Sequence, residues 1–261
     1  MSRLQARNVW KQYDDNVVLE RINVKVDDGE FITIVGTSGC GKTTFLKMLL
    51  GTESPSRGEL LLDDVPIPDE PGEDRGIVFQ KYSVFPHLTA LQNLLLAKEL
   101  SEARLLGRLF GHARKQAQEQ ALAMLDMVGL ITARDQYPHQ LSGGMQQRLA
   151  IAQALSKQPK ILLLDEPFGA LDPGIRADMH KLILDIWNKT GINIFMITHD
   201  LKEGFYLGTR LWVFDKVRHD PQSPNAYGAA ITYDIPVNKT DRTTLKEIDQ
   251  SLKQGRNVRT A

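Results

Sequence analysis

Residues 31 to 44, FITIVGTSGCGKTT, constrain the chain more than any other stretch. Residues 31–35 are mostly apolar and β-branched, which suits a strand buried on both faces of a sheet. Residues 44–50 then read as a helix. Between them Gly36, Thr37, Ser38, Gly39, Cys40, Gly41, Lys42 and Thr43 give the full Gly-x(4)-Gly-Lys-Thr pattern. The glycines let the backbone curl so that successive amides point at an anion at the positive end of the following helix. In such a loop Lys42 reaches the β- and γ-phosphates of a nucleotide, and the Thr43 hydroxyl suits Mg²⁺. The competing reading, a glycine turn that only caps a helix, does not account for strand, lysine and threonine together. Cys40 has two readings: a small residue tolerated at a variable position, or a thiol made reactive by the helix terminus. We treat it as a spectator.

Short β-rich runs recur at residues 76–79, 161–164, 193–197 and 211–214, several without alternation. Helical spacing of apolar residues appears between them, at residues 112–128 with Gly129 as a C-terminal cap, and at residues 173–189 with Asp172 as N-cap and Pro173 in the first turn. This pattern is α/β with a mainly parallel sheet. Residues 4–28 alternate apolar and polar and read as antiparallel strands, an N-terminal β subdomain. Residues 88–129 are almost wholly helical in pattern, and a helical subdomain over about 88–150 is expected as an insertion in the α/β core. Residues 220–238, rich in Pro, Gly, Asn and Asp, read as an irregular excursion, followed by a short helix capped by Asp241. The domain expectation is therefore one unit over 1–219 and a C-terminal extension over 220–261.

Charge narrows the partners. Lys plus Arg and Asp plus Glu number 32 each, so there is no net positive field to draw nucleic acid. The single cysteine excludes an internal disulfide framework and a multi-cysteine metal site. No apolar run approaches the roughly 20 residues of a membrane helix, and the N-terminus lacks a signal-type apolar core.

A second site is legible in residues 161–166, ILLLDE. Asp165, at the carboxyl end of a buried strand, lies where α/β sheets place ligand groups and can join a Mg²⁺ shell. Glu166 is then placed to act as general base on water.

These features suit many nucleotide hydrolases, but residues 141–148, LSGGMQQR, resemble the signature motif of the ABC (ATP-binding cassette) family. Ser142, Gly143 and Gly144 open a helix, a second anion-binding terminus in one chain; Gln146 follows in its first turn. In that family the signature of one subunit covers the γ-phosphate held by the other. The resemblance extends over roughly residues 3 to 215. It implies that Gln80 is the Q-loop glutamine near Mg²⁺ and water, that His199 is the switch histidine, and that Leu171-Asp172 belongs to the loop crossing to the partner, with Gly169 where a serine is usual. It also implies that Tyr13 stacks on adenine, although Trp10 is nearby. As implied by the resemblance, catalysis falls to Glu166, His199, Gln80 and Lys42, and the metal to Thr43, Gln80 and Asp165. Tyr13, the 36–44 loop, Ser142, Gly143, Gly144, Gln146 and Asp172 hold the nucleotide.

Within the family the chain is most similar to ATPases of nitrate, sulfonate and taurine importers, and residues 82–96 resemble the surface that receives a permease. The resemblance thus implies ATP and Mg²⁺, a second copy or a similar ATPase, integral membrane permease subunits, and a periplasmic or extracellular solute-binding protein. It places the chain peripherally on the cytoplasmic face of the membrane. Exporter or lipid-transport ATPases and non-transport clamp ATPases are the rivals; the long coiled coils, zinc modules or second cassette usual in the clamps are not visible in the sequence. Residues 101–110 and the tail after Lys216 depart from the importer pattern.

Overall fold

The computed structural model describes residues 3–79, 84–102, 109–218, 220–223 and 225–237. Two sheets organise it. The first takes β1 (Leu4–Tyr13) and β2 (Asn16–Val26), as their alternation requires, and adds β4 (Arg57–Leu62) and β5 (Val65–Pro66) in the order β2-β1-β4-β5, all antiparallel. The second holds β3 (Phe31–Gly36), β6 (Arg75–Val78), β7 (Ile161–Asp165), β8 (Asn193–Ile197) and β9 (Arg210–Asp215) in parallel, in the order β9-β3-β8-β7-β6.

The unbroken apolar runs have a direct cause. Along β7, Leu162 and Leu164 enter one core while Ile161 and Leu163 enter another; along β8, Ile194 and Met196 part from Phe195 and Ile197 in the same way. A period of two thus fills both faces of one strand. One face is covered by α1 (Lys42–Leu50) and the antiparallel sheet: Phe45 meets Trp212 and Phe214 at ring distances of 6.1 and 5.6 Å. The other is covered by α4 (Gly143–Leu155) and α5 (Pro173–Thr190). Each fully buried Leu or Ile contributes about 1.5–3 kcal/mol.

The helices expected over 88–150 are α2 (Ala90–Glu102), α3 (Gly111–Met127) and α4, linked by 3₁₀ turns at Ile131–Ala133 and Pro138–Gln140. α4 runs on to Leu155 and lays its apolar residues on the sheet. Gly129 follows the α3 C-cap residue Val128 with φ 70°, as a helix-ending glycine does.

The structure corrects two readings. Asp172 occupies the N-cap position of α5, but its side chain makes no capping bond; Pro173 at the first helical position and the bond from Arg176 N to Asp172 O start the helix without it. And residues 220–238 are not irregular throughout, because β10 (Ala230–Pro236) pairs antiparallel with β9 and forms the edge of the second sheet. Arg210 fastens it through two 2.5 Å contacts to the Asp234 carboxylate. Upstream of β10, Ala229 N donates to Val18 O and Val17 N to Asn225 O, so this segment also lies against β2. The helix expected from Asp241 lies outside the described residues, as does Gln80. Among the described residues no helix is long and apolar enough to cross a membrane.

Candidate active site

The carboxyl ends of β3, β7 and β8 place the phosphate loop, Asp165 and Glu166, and His199 side by side. Gly36 leaves β3 at φ 155°, and a Cβ there would stand 2.2 Å from Phe214 O, so only glycine lets the loop turn against β9. Lys42 begins α1, is 5% exposed, and donates from Nζ to Gly36 O (3.0 Å) and Thr37 O (2.9 Å). Its charge is thereby centred in the curl of the loop. Ser38 and Gly39 form the exposed crest, while Thr37, Cys40 and Gly41 are buried.

Cys40 is 3% exposed, and its Sγ lies 3.8 Å from Lys42 Nζ. Burial pushes the thiol above its ordinary range, outweighing the neighbouring Lys42 charge, which acts in the opposite direction. The geometry favours the spectator reading over the reactive one, because nucleophilicity resides in the thiolate. At pH 7.5 Cys40 in the native chain is expected to react with iodoacetamide at least about tenfold more slowly than in urea. Equal rates, followed by mass spectrometry, would restore the reactive thiol.

Thr43 Oγ1 stands 3.5 Å from Asp165 Oδ1, joining α1 to the end of β7. Burial raises the Asp165 carboxyl above the usual carboxylate range, with the Glu166 charge adding to it, against the lowering effects of Thr43, Lys42 and His199. A cation beside this oxygen pair would relieve that penalty. Glu166 sits at φ 50°, a left-handed conformation rare for a side chain of this kind, with its N–H held by Ile197 O at 3.1 Å. Its carboxylate forms an ion-pair contact with His199 Nε2. Beside them opens a polar cavity of about 350 Å³, lined by Glu166, Gly169, Arg176, His199, Asp200 and Glu203 among others.

On the other side of the loop Tyr13 ends β1, 39% exposed, with its hydroxyl shared between Glu53 and Thr44 of α1. Lys11 Nζ lies 4.8 Å from the ring centre, 2.7 Å from Glu53 Oε2 and 2.9 Å from Ser54 O. Lys11 and Glu53 were not singled out in the sequence; they fix the ring's height above α1. Trp10 is engaged elsewhere, between the guanidinium groups of Arg21 and Arg57 at 5.8 and 6.0 Å.

The structure does not gather every candidate at this point. Ser142 caps α4, its Oγ accepting from Met145 N at 3.3 Å. Ser142 and Gly143 are exposed, whereas Gly144 is buried, since a Cβ there would come within 2.5 Å of Ile175 Cγ2. Gln146 Nε2 donates to Pro138 O (2.9 Å) and Leu141 O (3.1 Å), which holds the turn before the helix. Its side chain thus serves the loop rather than pointing to a ligand. α4 therefore presents its N-terminus beside α5 and Asp172.

The sequence model of the ABC transporter family matches residues 19–169. The chain is 43% identical over 197 residues to the nitrate import ATP-binding protein NrtD of Synechocystis sp., covering 76% of this chain and 70% of the relative. It is 38% identical over 243 residues to a putative ATP-binding protein of Brucella abortus, covering 93% and 87%. With the taurine import ATP-binding protein TauB of Yersinia pestis it shares 38% identity over 208 residues, 80% of this chain and 78% of that one. Among solved structures, the dimeric bacterial ABC transporter cassette MJ0796 superposes with a TM-score of 0.72 at 28% identity, covering 91% of this chain and 100% of its own. A nucleotide-free cassette at 21% identity and TM-score 0.76 shares the fold over 96% of both chains. A phosphate loop beside an acidic strand end, a capped signature helix and this likeness place the chain in the ABC transporter family, as one of its ATP-binding, ATP-hydrolysing cassettes.

Proposed function

We propose that this chain is the ATPase subunit of a solute importer, working as a head-to-tail dimer that closes on two ATP molecules. The observation that carries the reading is the division of the donors between two places: the loop around Lys42, and the capped N-terminus of α4 at Ser142, seated against α5. Two anion-binding termini on separate elements of one chain are best used by two copies facing each other.

Each residue then has a task. The amides of residues 36–43 and Lys42 hold the phosphates, Tyr13 offers a π-face to the adenine, and Ser142 with Gly143 and Gly144 closes on the partner's γ-phosphate. Asp172, exposed and unused by its own helix, lies on the face that meets the second copy. Glu166 accepts the proton of the attacking water, while His199 steadies the γ-phosphate and Gln80 faces metal and water.

The donor set suits Mg²⁺: one carboxylate, Asp165, and one hydroxyl, Thr43, both hard oxygens, with phosphate and water left to complete the shell. When bound, Mg²⁺ would neutralise charge on the phosphates. Similarity to NrtD and TauB, named as import ATP-binding proteins, supports import, and with it permease subunits, a solute-binding protein and a peripheral position on the cytoplasmic face of the membrane.

The test is the mass of the Glu166→Gln variant by light scattering. With Mg-ATP it is expected to double, and Ser142→Arg in the same background should keep it monomeric by filling the anion site. A monomer under saturating ATP, or a dimer indifferent to Ser142→Arg, would refute the two-site sandwich.

A further inference from the structure

Glu203 is a buried carboxylate to which neither the phosphate loop nor the signature helix gives a task. It lies in α6 (Leu201–Leu207), is 9% exposed, and uses both of its oxygens. Oε2 accepts the hydroxyl of Thr198, and Oε1 meets His180 Nε2 at 2.7 Å. A carboxylate removed from water to this degree persists only when such partners compensate it.

Both partners lead to the reacting groups. Thr198 directly precedes His199 and is 4% exposed; its N–H donates to Ile34 O at 3.1 Å. Its Oγ1 also accepts the backbone N–H of Asp200, which directly follows His199, at 3.1 Å. Asp200 in turn caps α6, its Oδ1 accepting from Lys202 N (2.8 Å) and Glu203 N (3.4 Å). His199 is thus pinned on both sides through one hydroxyl, while its own ring, 45% exposed, reaches the Glu166 carboxylate. On the opposite side His180 belongs to α5, and its ring packs on Phe168 at 5.3 Å and Tyr206 at 5.8 Å. Phe168 lies on the loop that carries Glu166. One carboxylate therefore ties the turn bearing His199 to the loop bearing Glu166.

We infer that Glu203 is a positioning residue for hydrolysis, holding His199 against Glu166 through Thr198 and His180. The inference rests on the proposed role of His199. A small displacement of a well-oriented group can cost up to about a hundredfold in rate without changing substrate affinity, and the effect should appear in kcat.

The experiment is a double-mutant cycle on ATP hydrolysis, with nucleotide affinity measured separately. Glu203→Ala is expected to lower kcat by about tenfold and leave the ATP Kd within about twofold. Glu203→Gln should retain most of the activity, since its Oε1 can accept from Thr198 while its amide N–H donates to neutral His180. In a His199→Ala background, Glu203→Ala should remove less than about twofold more, because the group it positions is gone. Should Glu203→Ala unfold the chain, Thr198→Val removes only the hydroxyl and is expected to reproduce the kcat loss, with Thr198→Ser restoring it. A loss of the same size in the His199→Ala background, or full activity of both Glu203→Ala and Thr198→Val, overturns the positioning role while leaving His199 in place. An unchanged kcat for His199→Ala itself overturns both the role of His199 and this inference.

Discussion

Glu166→Gln is expected to lower the kcat of ATP hydrolysis by about 10²- to 10⁴-fold, the contribution of a positioned general base, while ATP affinity stays within about threefold. The amide has the shape of the carboxylate and can still meet His199, but it cannot take a proton from water. The backbone limits relaxation: the residue is held at φ 50° with its N–H bonded to Ile197 O, so the replacement starts from the same point in space. A conservative change here therefore separates chemistry from binding. Steady-state phosphate release and equilibrium nucleotide titration on the same preparation decide it. A kcat within tenfold of the unaltered chain would remove Glu166 as proton acceptor and leave the in-line attack to be organised by His199 and the metal.

Lys42→Ala acts at the other step. Its ammonium is 5% exposed and held by two loop carbonyls, and in the proposed site it makes charge-assisted bonds to phosphate oxygens. Such bonds contribute about 1.5–3 kcal/mol each, so losing two should weaken ATP binding by about 10²- to 10⁴-fold. The variant also leaves Gly36 O and Thr37 O without their donor, so the loop itself is expected to loosen. Calorimetric titration with Mg-ATP, alongside a melting curve to show that the core is intact, gives the answer. Retained affinity would mean that the amides of residues 36–43 and the α1 terminus bind the phosphates without the ammonium.

Much of this was legible in the sequence, for identifiable reasons. Residues 193–197 form a strand with the expected limits because they are apolar on both faces and bounded by a glycine and a polar turn. The phosphate loop, Asp165 and Glu166 were legible because their chemistry requires fixed residue types at fixed spacing next to a strand. The Asp200 cap was legible for a similar local reason. What escaped was long-range or masked by composition. β10 carries Ile231, Tyr233 and Ile235 at strand spacing, but the Pro, Gly and Asp residues around it hid an alternation that an edge strand shows only weakly. β4 and β5 were not assigned, since their partner β1 lies some fifty residues earlier. The same holds for Lys11 with Glu53 and for His180 with Glu203: each pair joins residues far apart in sequence, and neither member belongs to a motif.

β10 has a consequence for how the molecule is made. The parallel strands of the second sheet are complete at Asp215, yet β9 keeps one side unpaired until Pro236 has been synthesised and the chain has turned back. During synthesis from the N-terminus, the apolar strand 210–215 waits with open amides and carbonyls, an invitation to any other extended chain. The Arg210–Asp234 clasp, which aligns the incoming strand across the sheet, thus marks the moment when the nascent cassette stops being adhesive.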